Sequence, residues 1–113
     1  MRQPVRSKKF EADLARAIAR GLDSGDWEHL VFLLLEEEVL PPEYDEHLLH
    51  GIWKGYLECH LAGDLLVIYR RTPKHIIFAA IGTHAELFKN QPRSYPKVPK
   101  QRPKRSGNWP FGN

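Results

Sequence analysis

The chain has 113 residues, of which 42% are hydrophobic and 27% are charged, a balance typical of one globular domain. No apolar run approaches the roughly 20 residues that a membrane-spanning helix needs, and the basic first residues lack the apolar core of a secretion signal. Cys59 is the only cysteine, which excludes an internal disulfide and a cysteine-based zinc site. These features predict a cytoplasmic protein without a membrane partner.

The net charge of +3 is the sum of two oppositely charged segments. Residues 1–90 hold all 14 acidic residues and 11 of the 17 lysines and arginines, a net charge of −3. Residues 91–113 hold the other six basic residues and five of the nine prolines, with Val98 as their one aliphatic residue. Such a segment cannot bury enough apolar surface to fold. We therefore predict a folded domain over residues 1–90 and a basic disordered tail over residues 91–113.

Two helices are predicted in the first 40 residues, after a segment at Pro4-Val5-Arg6 that is at most a short edge strand. The first helix begins at the N-cap Ser7 and ends near Arg20. The second follows the turn at residues 23–26, with Ser24 or Asp26 as its predicted cap. Each helix carries an apolar stripe, formed by Phe10, Leu14, Ala17 and Ile18 in the first and by Trp27, Leu30, Val31, Leu34 and Leu35 in the second.

Three strand-like runs follow Pro41-Pro42, which prevents the second helix from continuing. The first run, from Trp53 to His60, alternates only loosely. Residues 65–69 and 76–81 are apolar at every position, as strands covered on both faces are, and Thr72-Pro73-Lys74 joins them tightly as an antiparallel hairpin. The predicted fold is α+β, with two N-terminal helices packed on one face of a small, mainly antiparallel sheet. The other face is predicted to meet a partner.

Five of the six histidines lie in the strand region, and several of them stand at predicted strand ends. The sheet can therefore bring His47, His60, Asp64 and His84 together. Cleavage of RNA without a metal needs a base for the 2′-OH proton, an acid for the departing 5′-oxygen and a donor or cation for the phosphate. Histidine suits the first two tasks because its pKa of about 6.5 lies near neutral pH. The candidates for the third task are Lys54, Arg70 and Arg71.

Other interpretations of these residues stay open. Any single histidine is more often structural than catalytic, and His47, His60 and Asp64 are also of the types that bind metals, although no HExxH spacing is present. The remaining strand-region histidines, at positions 50 and 75, receive no role. Cys59 alternates with His60 and is predicted to face away from it as inert packing.

A more specific pattern runs through the same region. Its parts are Leu40-Pro41-Pro42, Asp45-Glu46-His47, Gly51-Ile52-Trp53-Lys54-Gly55-Tyr56, His60 with Asp64, Ile68-Tyr69, and Gly82-Thr83-His84-Ala85-Glu86-Leu87-Phe88. In these motifs and their spacing, residues 7–89 resemble the YafQ-type toxins of the RelE/ParE superfamily of bacterial toxin–antitoxin systems. The combination is specific, whereas any one motif alone is weak.

The resemblance implies an endoribonuclease that needs no cofactor or metal, cuts mRNA in the ribosomal A site and is silenced by a cognate antitoxin. The implied site residues are His47, His60, Asp64, His84 and Phe88. His47 and His84 would be the acid and the base, in an order that is left open. His60 and Asp64 would position RNA and tune the histidines, and Phe88 would pack against a base or shape the pocket.

The chain departs from the family in two places and extends beyond it. Leu57 and Leu65 stand where relatives often have arginine and tryptophan. The tail lies past the usual family end, and we expect its basic residues to bind RNA phosphates; among them are Lys97, Lys100, Arg102, Lys104 and Arg105. Two other functions stay open: a ParE-like toxin that inhibits gyrase, against which the histidines argue, and a catalytically inactive module that binds the antitoxin or nucleic acid.

Overall fold

The computed structural model describes residues 1–88 of the chain, which form five strands and three helices. In chain order they are β1 (Gln3–Arg6), α1 (Lys8–Ala19), α2 (Ser24–Leu35), β2 (His47–Leu48), β3 (Leu57–Ala62), β4 (Leu65–Arg71), β5 (His75–Thr83) and α3 (His84–Phe88). Two single 3₁₀ turns, Pro42–Tyr44 and Gly51–Trp53, flank β2. The predicted tail, residues 91–113, lies outside the described residues.

The strands form one sheet in the order β1-β5-β4-β3-β2. β1 pairs with β5 in parallel, and every other neighbouring pair is antiparallel. The α+β fold class, the short edge strand near Pro4 and the β4–β5 hairpin are therefore confirmed. β2 was not predicted, because a two-residue strand is too short to show an alternating pattern.

The local signals at the helix starts were correct in one case and misplaced in the other. Ser7 caps α1, since its hydroxyl oxygen accepts a hydrogen bond of 3.0 Å from the Phe10 N–H. The cap of α2 is Asp23, one residue before the predicted Ser24, and its carboxylate accepts from the Gly25 N–H at 2.7 Å.

The predicted start of the first strand, at Trp53, was also misplaced. Residues 51–53 form a 3₁₀ turn, and β3 begins only at Leu57. Gly55 lies between them with a φ of 94°, a left-handed conformation that a regular strand does not contain. The strand therefore begins after this glycine.

The side of the sheet that packs on α1 and α2, here called the helix face, holds the main core. Its strand residues include Leu57, Cys59, Val67, Tyr69, Ile76, Phe78 and Ile81. The rings of Phe10, Trp27 and Phe78 meet there with centroids 5.2–5.7 Å apart. Ile18, which belongs to the predicted apolar stripe of α1, is 38% exposed.

The opposite side of the sheet, here called the far face, is the one that α1 and α2 leave open. The β3–β4 and β4–β5 registers place Glu58, His60, Leu66, Ile68 and Ala80 on it. Leu66 and Ile68 form a second apolar cluster with Leu49 and Phe88, against which Trp53 and Tyr56 pack. The segment around residues 49–56 and helix α3 therefore cover part of this face.

Candidate active site

His47 is the first residue of β2 and lies directly opposite Glu58 of β3. Both side chains are buried, with 1% and 3% of their areas exposed, and His47 Nε2 is 2.8 Å from Glu58 Oε1. The other ring nitrogen, Nδ1, is 2.9 Å from the main-chain oxygen of Asp45. Each ring nitrogen of His47 therefore has an oxygen atom within 2.9 Å.

Asp45 lies beside two of the histidines at the end of the first 3₁₀ turn. Its backbone is in the left-handed region, with φ of 50° and ψ of 49°, a conformation that aspartate tolerates better than most residues. Its main-chain oxygen faces His47, and its carboxylate Oδ2 is 3.9 Å from Nε2 of His60. The His60 side chain is 43% exposed, so it has access to solvent on the far face.

His84 and Phe88 form the second part of the site. They are the first and last residues of α3, and their rings meet edge to face with centroids 4.7 Å apart. Phe88 is buried in the cluster that contains Leu66 and Ile68, whereas His84 is exposed. The buried phenylalanine therefore fixes the helix on the far face and orients an imidazole that solvent can reach.

The start of α3 is held by a reciprocal capping box, the Thr-x-x-Glu pattern of helix N-termini. The Thr83 N–H donates to Glu86 Oε1 at 2.9 Å, and the Glu86 N–H donates to the Thr83 hydroxyl at 3.1 Å. The hydrogen bond from Thr83, assisted by Arg20, lowers the pKa of Glu86 below its ordinary value of 4.5. Gly82 permits this fold-back, since a Cβ there would lie 2.9 Å from Glu86 Oε1.

Asp64 belongs to the turn between β3 and β4 and is exposed. The antiparallel β4–β5 register pairs Leu65 with Thr83. Asp64, just before Leu65, and His84, just after Thr83, are therefore the next residues beyond this pair on the two strands. Asp64 also lines a groove of about 550 Å³ with residues of α1, including Lys9, Arg16 and Arg20. The fold thus places Asp64 at the same end of the sheet as His84.

The three predicted phosphate-binding cations are in different surroundings. Lys54 and Arg70 are exposed, and the Arg70 guanidinium carbon is 6.0 Å from the ring centroid of Tyr56 on the far face. Arg71 instead donates to Glu46 Oε2 at 2.7 Å. The same carboxylate oxygen accepts from the Tyr69 hydroxyl, whose pKa burial raises well above its ordinary value. Lys54 and Arg70 are therefore better placed than Arg71 to meet a phosphate.

The other predicted basic residues, Lys97, Lys100, Arg102, Lys104 and Arg105, lie outside the described residues. Cys59 faces the helices and is fully buried, as predicted, and burial raises the pKa of its thiol well above its ordinary value. Within residues 1–88, no three histidine, cysteine, aspartate or glutamate side chains are grouped as metal ligands. Each of the three helices described is too short or too polar to cross a lipid bilayer.

Three residues that contact the site were absent from the sequence-based prediction. Glu58 carried a usable signal, since it stands two residues before His60 and therefore on the same face of a strand. Glu86 carried another in the Thr-x-x-Glu pattern that begins at Thr83. Asp45 stood in the Asp45-Glu46-His47 motif, but its contacts depend on where the chain after α2 returns to the sheet.

Comparisons with known proteins place this arrangement in a family. The model of the family described as bacterial toxin of type II toxin–antitoxin system, YafQ, matches residues 2–89. The mRNA interferase toxin YafQ of Escherichia coli strain K12 is 37% identical over 83 residues, which are 73% of this chain and 90% of that protein.

Solved structures of relatives have the same fold as this chain. YafQ from E. coli strain BL21(DE3) superposes with a TM-score of 0.72 at 35% identity, covering 78% of this chain and 99% of that one. YafQ in the E. coli DinJ–YafQ complex gives a TM-score of 0.71 at 36% identity, over 78% and 99% of the two chains. The family match, the identity and the shared fold together show that this chain belongs to the YafQ family of bacterial toxins of type II toxin–antitoxin systems.

Proposed function

We propose that this toxin is an endoribonuclease that cuts ribosome-bound mRNA in the bacterial cytoplasm by metal-free acid–base catalysis. The observation that carries the proposal is the placement of His84 and His60, both solvent-accessible, on the sheet face that also holds His47. The mRNA interferase name of the E. coli relative supports the substrate class.

The reaction follows from the chemistry of RNA. One histidine removes the proton from a 2′-OH, the resulting oxygen attacks the adjacent phosphorus, and the bond from phosphorus to the 5′-oxygen breaks. A second histidine protonates that oxygen as it leaves, so the products are a 2′,3′-cyclic phosphate and a 5′-OH. We assign the two proton transfers to His84 and His47. The need for a 2′-OH makes such a site specific for RNA.

The remaining site residues act on the position of the RNA. His60 is half-exposed beside Asp45. Asp64 precedes Leu65, the residue that pairs with Thr83. In the proposal, both side chains orient the RNA strand around His84. Phe88 holds the His84 ring and closes the pocket floor with Leu66 and Ile68. Lys54 and Arg70 supply positive charge near the phosphate, and Arg70 beside Tyr56 forms a surface on which a base can stack.

The proposed partners are the ribosome with its mRNA and a cognate antitoxin. The DinJ–YafQ complex of E. coli is a structure of a close relative with a second protein, which supports an antitoxin here. We place the antitoxin on the far face because the helix face is already filled by α1 and α2. Ribosome binding is assigned to the basic residues of the tail, since residues 1–90 carry a net charge of −3.

The test is a bacterial translation extract in which the 5′ ends of mRNA fragments are mapped after the purified protein is added. Cuts within translated message, and none in the same RNA without ribosomes, are expected. His84→Ala should lower the cleavage rate by about 10²–10⁴-fold, the usual contribution of a general acid or base, without changing thermal unfolding. His75→Ala is the matched control, because His75 is an exposed first residue of β5 with no assigned role.

Two results would contradict the proposal. Cleavage at the wild-type rate by a folded His84→Ala protein would remove the acid–base assignment. Cuts at the same positions in ribosome-free RNA would remove the dependence on the ribosome.

A further inference from the structure

The segment that carries His47 joins the sheet by a very short strand. β2 has two residues, which pair with Leu57 and Glu58 of β3. Cross-strand pairs are the unit by which a sheet is stabilised, and this strand forms only two of them with β3. Asp45, which ends the preceding 3₁₀ turn, has a left-handed backbone conformation. The position of His47 therefore depends on what holds the chain just before β2.

The side chain of Glu46 holds this chain from the opposite side of the sheet. Its Oε2 accepts hydrogen bonds from the Tyr69 hydroxyl and from Arg71 Nη2, the latter at 2.7 Å. Tyr69 belongs to the core of the helix face, and Arg71, two residues further along β4, lies on the same side of that strand. His47 lies on the far face against Glu58. Glu46 therefore ties the chain before β2 to the middle strand of the sheet.

The chemistry of these three side chains suits a rigid contact. Tyr69 is fully buried, and burial raises the pKa of its hydroxyl well above the ordinary value, so the oxygen keeps its proton and donates. The Arg71 guanidinium is always charged, and its hydrogen bond to a carboxylate is of the stronger, charge-assisted type. The side chains of Glu46 and Arg71 are 21% and 34% exposed, so water screens this ion pair only in part. Glu46, Tyr69 and Arg71 are here called the Glu46 clamp.

We infer that the Glu46 clamp fixes the site residues for cleavage, with Glu46 as a positioning residue. The inference rests on the proposed function. Glu46 stands between His47 and Asp45, whose carboxylate faces His60, so holding its side chain holds the backbone of both neighbours. The clamp lies on the helix face, and the proposed RNA surface is the far face. Glu46 therefore acts through the placement of the site residues and not by contact with RNA.

The clamp gives Arg71 a different role from the one that its charge suggested. The sequence made it a candidate for binding the RNA phosphate, and the two roles predict different effects of Arg71→Ala. Loss of a phosphate contact would weaken ribosome binding and flatten its dependence on salt. Loss of the clamp would slow cleavage at saturating ribosome concentration and leave the affinity and its salt dependence unchanged.

The first test measures single-turnover cleavage of ribosome-bound mRNA, per folded molecule, over a range of ribosome concentrations. Glu46→Ala should slow the saturated rate by about 10²-fold, the loss that a displacement of about 1 Å can cause, with unchanged ribosome affinity. Glu46→Gln keeps an oxygen acceptor and should recover part of the rate. Tyr69→Phe and Arg71→Ala each remove one donor and should lie between wild type and Glu46→Ala. The matched control is Lys74→Ala, at an exposed cation of the turn after β4, which should cleave like wild type.

Two kinetic results would overturn the inference. The first is a saturated rate that Glu46→Ala leaves unchanged. The second is an Arg71→Ala protein with the wild-type saturated rate and a weaker, less salt-dependent affinity, because Arg71 would then be a phosphate ligand.

The second test needs no catalysis. The Leu49 N–H, just after β2, donates to the Tyr56 main-chain oxygen at 2.9 Å, so its hydrogen exchange reports the opening of this segment. In Glu46→Ala, exchange at Leu49 should accelerate by about tenfold relative to the amides of the β4–β5 hairpin. A purely structural role would accelerate exchange equally in both places, as expected for Phe78→Ala, and would leave cleavage per folded molecule unchanged. Equal acceleration would therefore contradict the positioning role.

The two tests separate the clamp from the proposed function. If the wild-type protein does not cleave mRNA, the proposed function is wrong, and hydrogen exchange still decides whether Glu46 holds the segment before β2. If the wild type cleaves and Glu46→Ala cleaves equally fast, only the clamp is wrong. If Glu46→Ala does not fold, Tyr69→Phe and Arg71→Ala, which keep the carboxylate and one of its two donors, decide by the same measurements.

Discussion

Residues of the helix face and of the far face alternate along the same strands, but the two faces bury side chains of different chemical types. Cys59 of β3 packs among aromatic and aliphatic side chains beneath α1 and α2. Its neighbour Glu58 points the other way and lies against His47. On the helix face, burial removes apolar area from water, which is worth roughly 25 cal/mol per Å². On the far face, burial removes a carboxylate and an imidazole from water.

The difference shows how a small domain divides stability and function between two surfaces of one sheet. A buried ion pair is weak support for folding, because the cost of taking two charges out of water offsets much of their attraction. The helix face therefore carries most of the stability, and the far face buries the polar groups to which the proposed function assigns proton transfer. Three predictions test this division, from the largest expected effect to the smallest.

Phe78→Ala should break the helix face without damaging the site. Phe78 is 2% exposed and contacts the rings of Phe10 and Trp27, so its removal leaves a cavity beneath both helices. The expected loss is about 3–5 kcal/mol in the free energy of unfolding, measured by urea denaturation. Cleavage per folded molecule should be unchanged, because this ring lies in the core of the helix face.

A matched control for this substitution is Phe32→Ala, at a phenylalanine of α2 that is 55% exposed. It should change the free energy of unfolding by no more than about 0.5 kcal/mol. A loss of activity in Phe78→Ala at temperatures where it is fully folded would mean that the two faces are coupled.

The substitutions His47→Leu and Glu58→Leu should affect stability differently when they are made singly and when they are made together. Removing His47 alone leaves the buried Glu58 carboxyl group without the polar side chain beside it, at a cost of about 3–5 kcal/mol. Replacing both residues by leucine should be neutral or stabilising by about 1–4 kcal/mol. Every one of these variants should be inactive. Thermal and urea unfolding measure the effect, and a double variant less stable than either single one would show that the pair stabilises the fold.

Glu86→Ala should have the smallest effect, at the junction of β5 and α3. It removes half of the capping box, which is worth about 1 kcal/mol near neutral pH. The pKa of Glu86 is lowered in the folded protein, chiefly by the Thr83 N–H and then by Arg20. Its stabilising contribution is therefore complete above pH 4.5, the ordinary value, and is lost as the pH falls through the lowered folded-state pKa.

The measurement is the difference in unfolding free energy between wild type and Glu86→Ala at several pH values. The difference should be full above pH 4.5 and shrink in more acidic solution. Glu86→Gln, which keeps an oxygen acceptor for Thr83, should show a smaller loss at neutral pH. A difference that grows as the pH falls would contradict the assigned contacts.

Much of the fold was predictable from near neighbours in the sequence. The Ser7 cap, the apolar stripes of α1 and α2, and the tight connection between β4 and β5 depend on interactions within a few residues, and each was correctly recognised. The histidines at strand ends and the spacing of their motifs identified the family for the same reason. Spacing along the chain is a property of the sequence, so it indicates the family without any knowledge of the tertiary structure.

Only the tertiary structure decided which groups meet across the sheet. The parallel pairing of β1 with β5, the placement of His47 against Glu58 and the capture of Arg71 by Glu46 all join residues that are far apart in sequence. Such contacts depend on strand register, and a shift of one residue would turn each side chain to the opposite face. The sequence by itself therefore determined the elements, the family and the histidines, while register and burial determined that His47 lies against Glu58 on the far face.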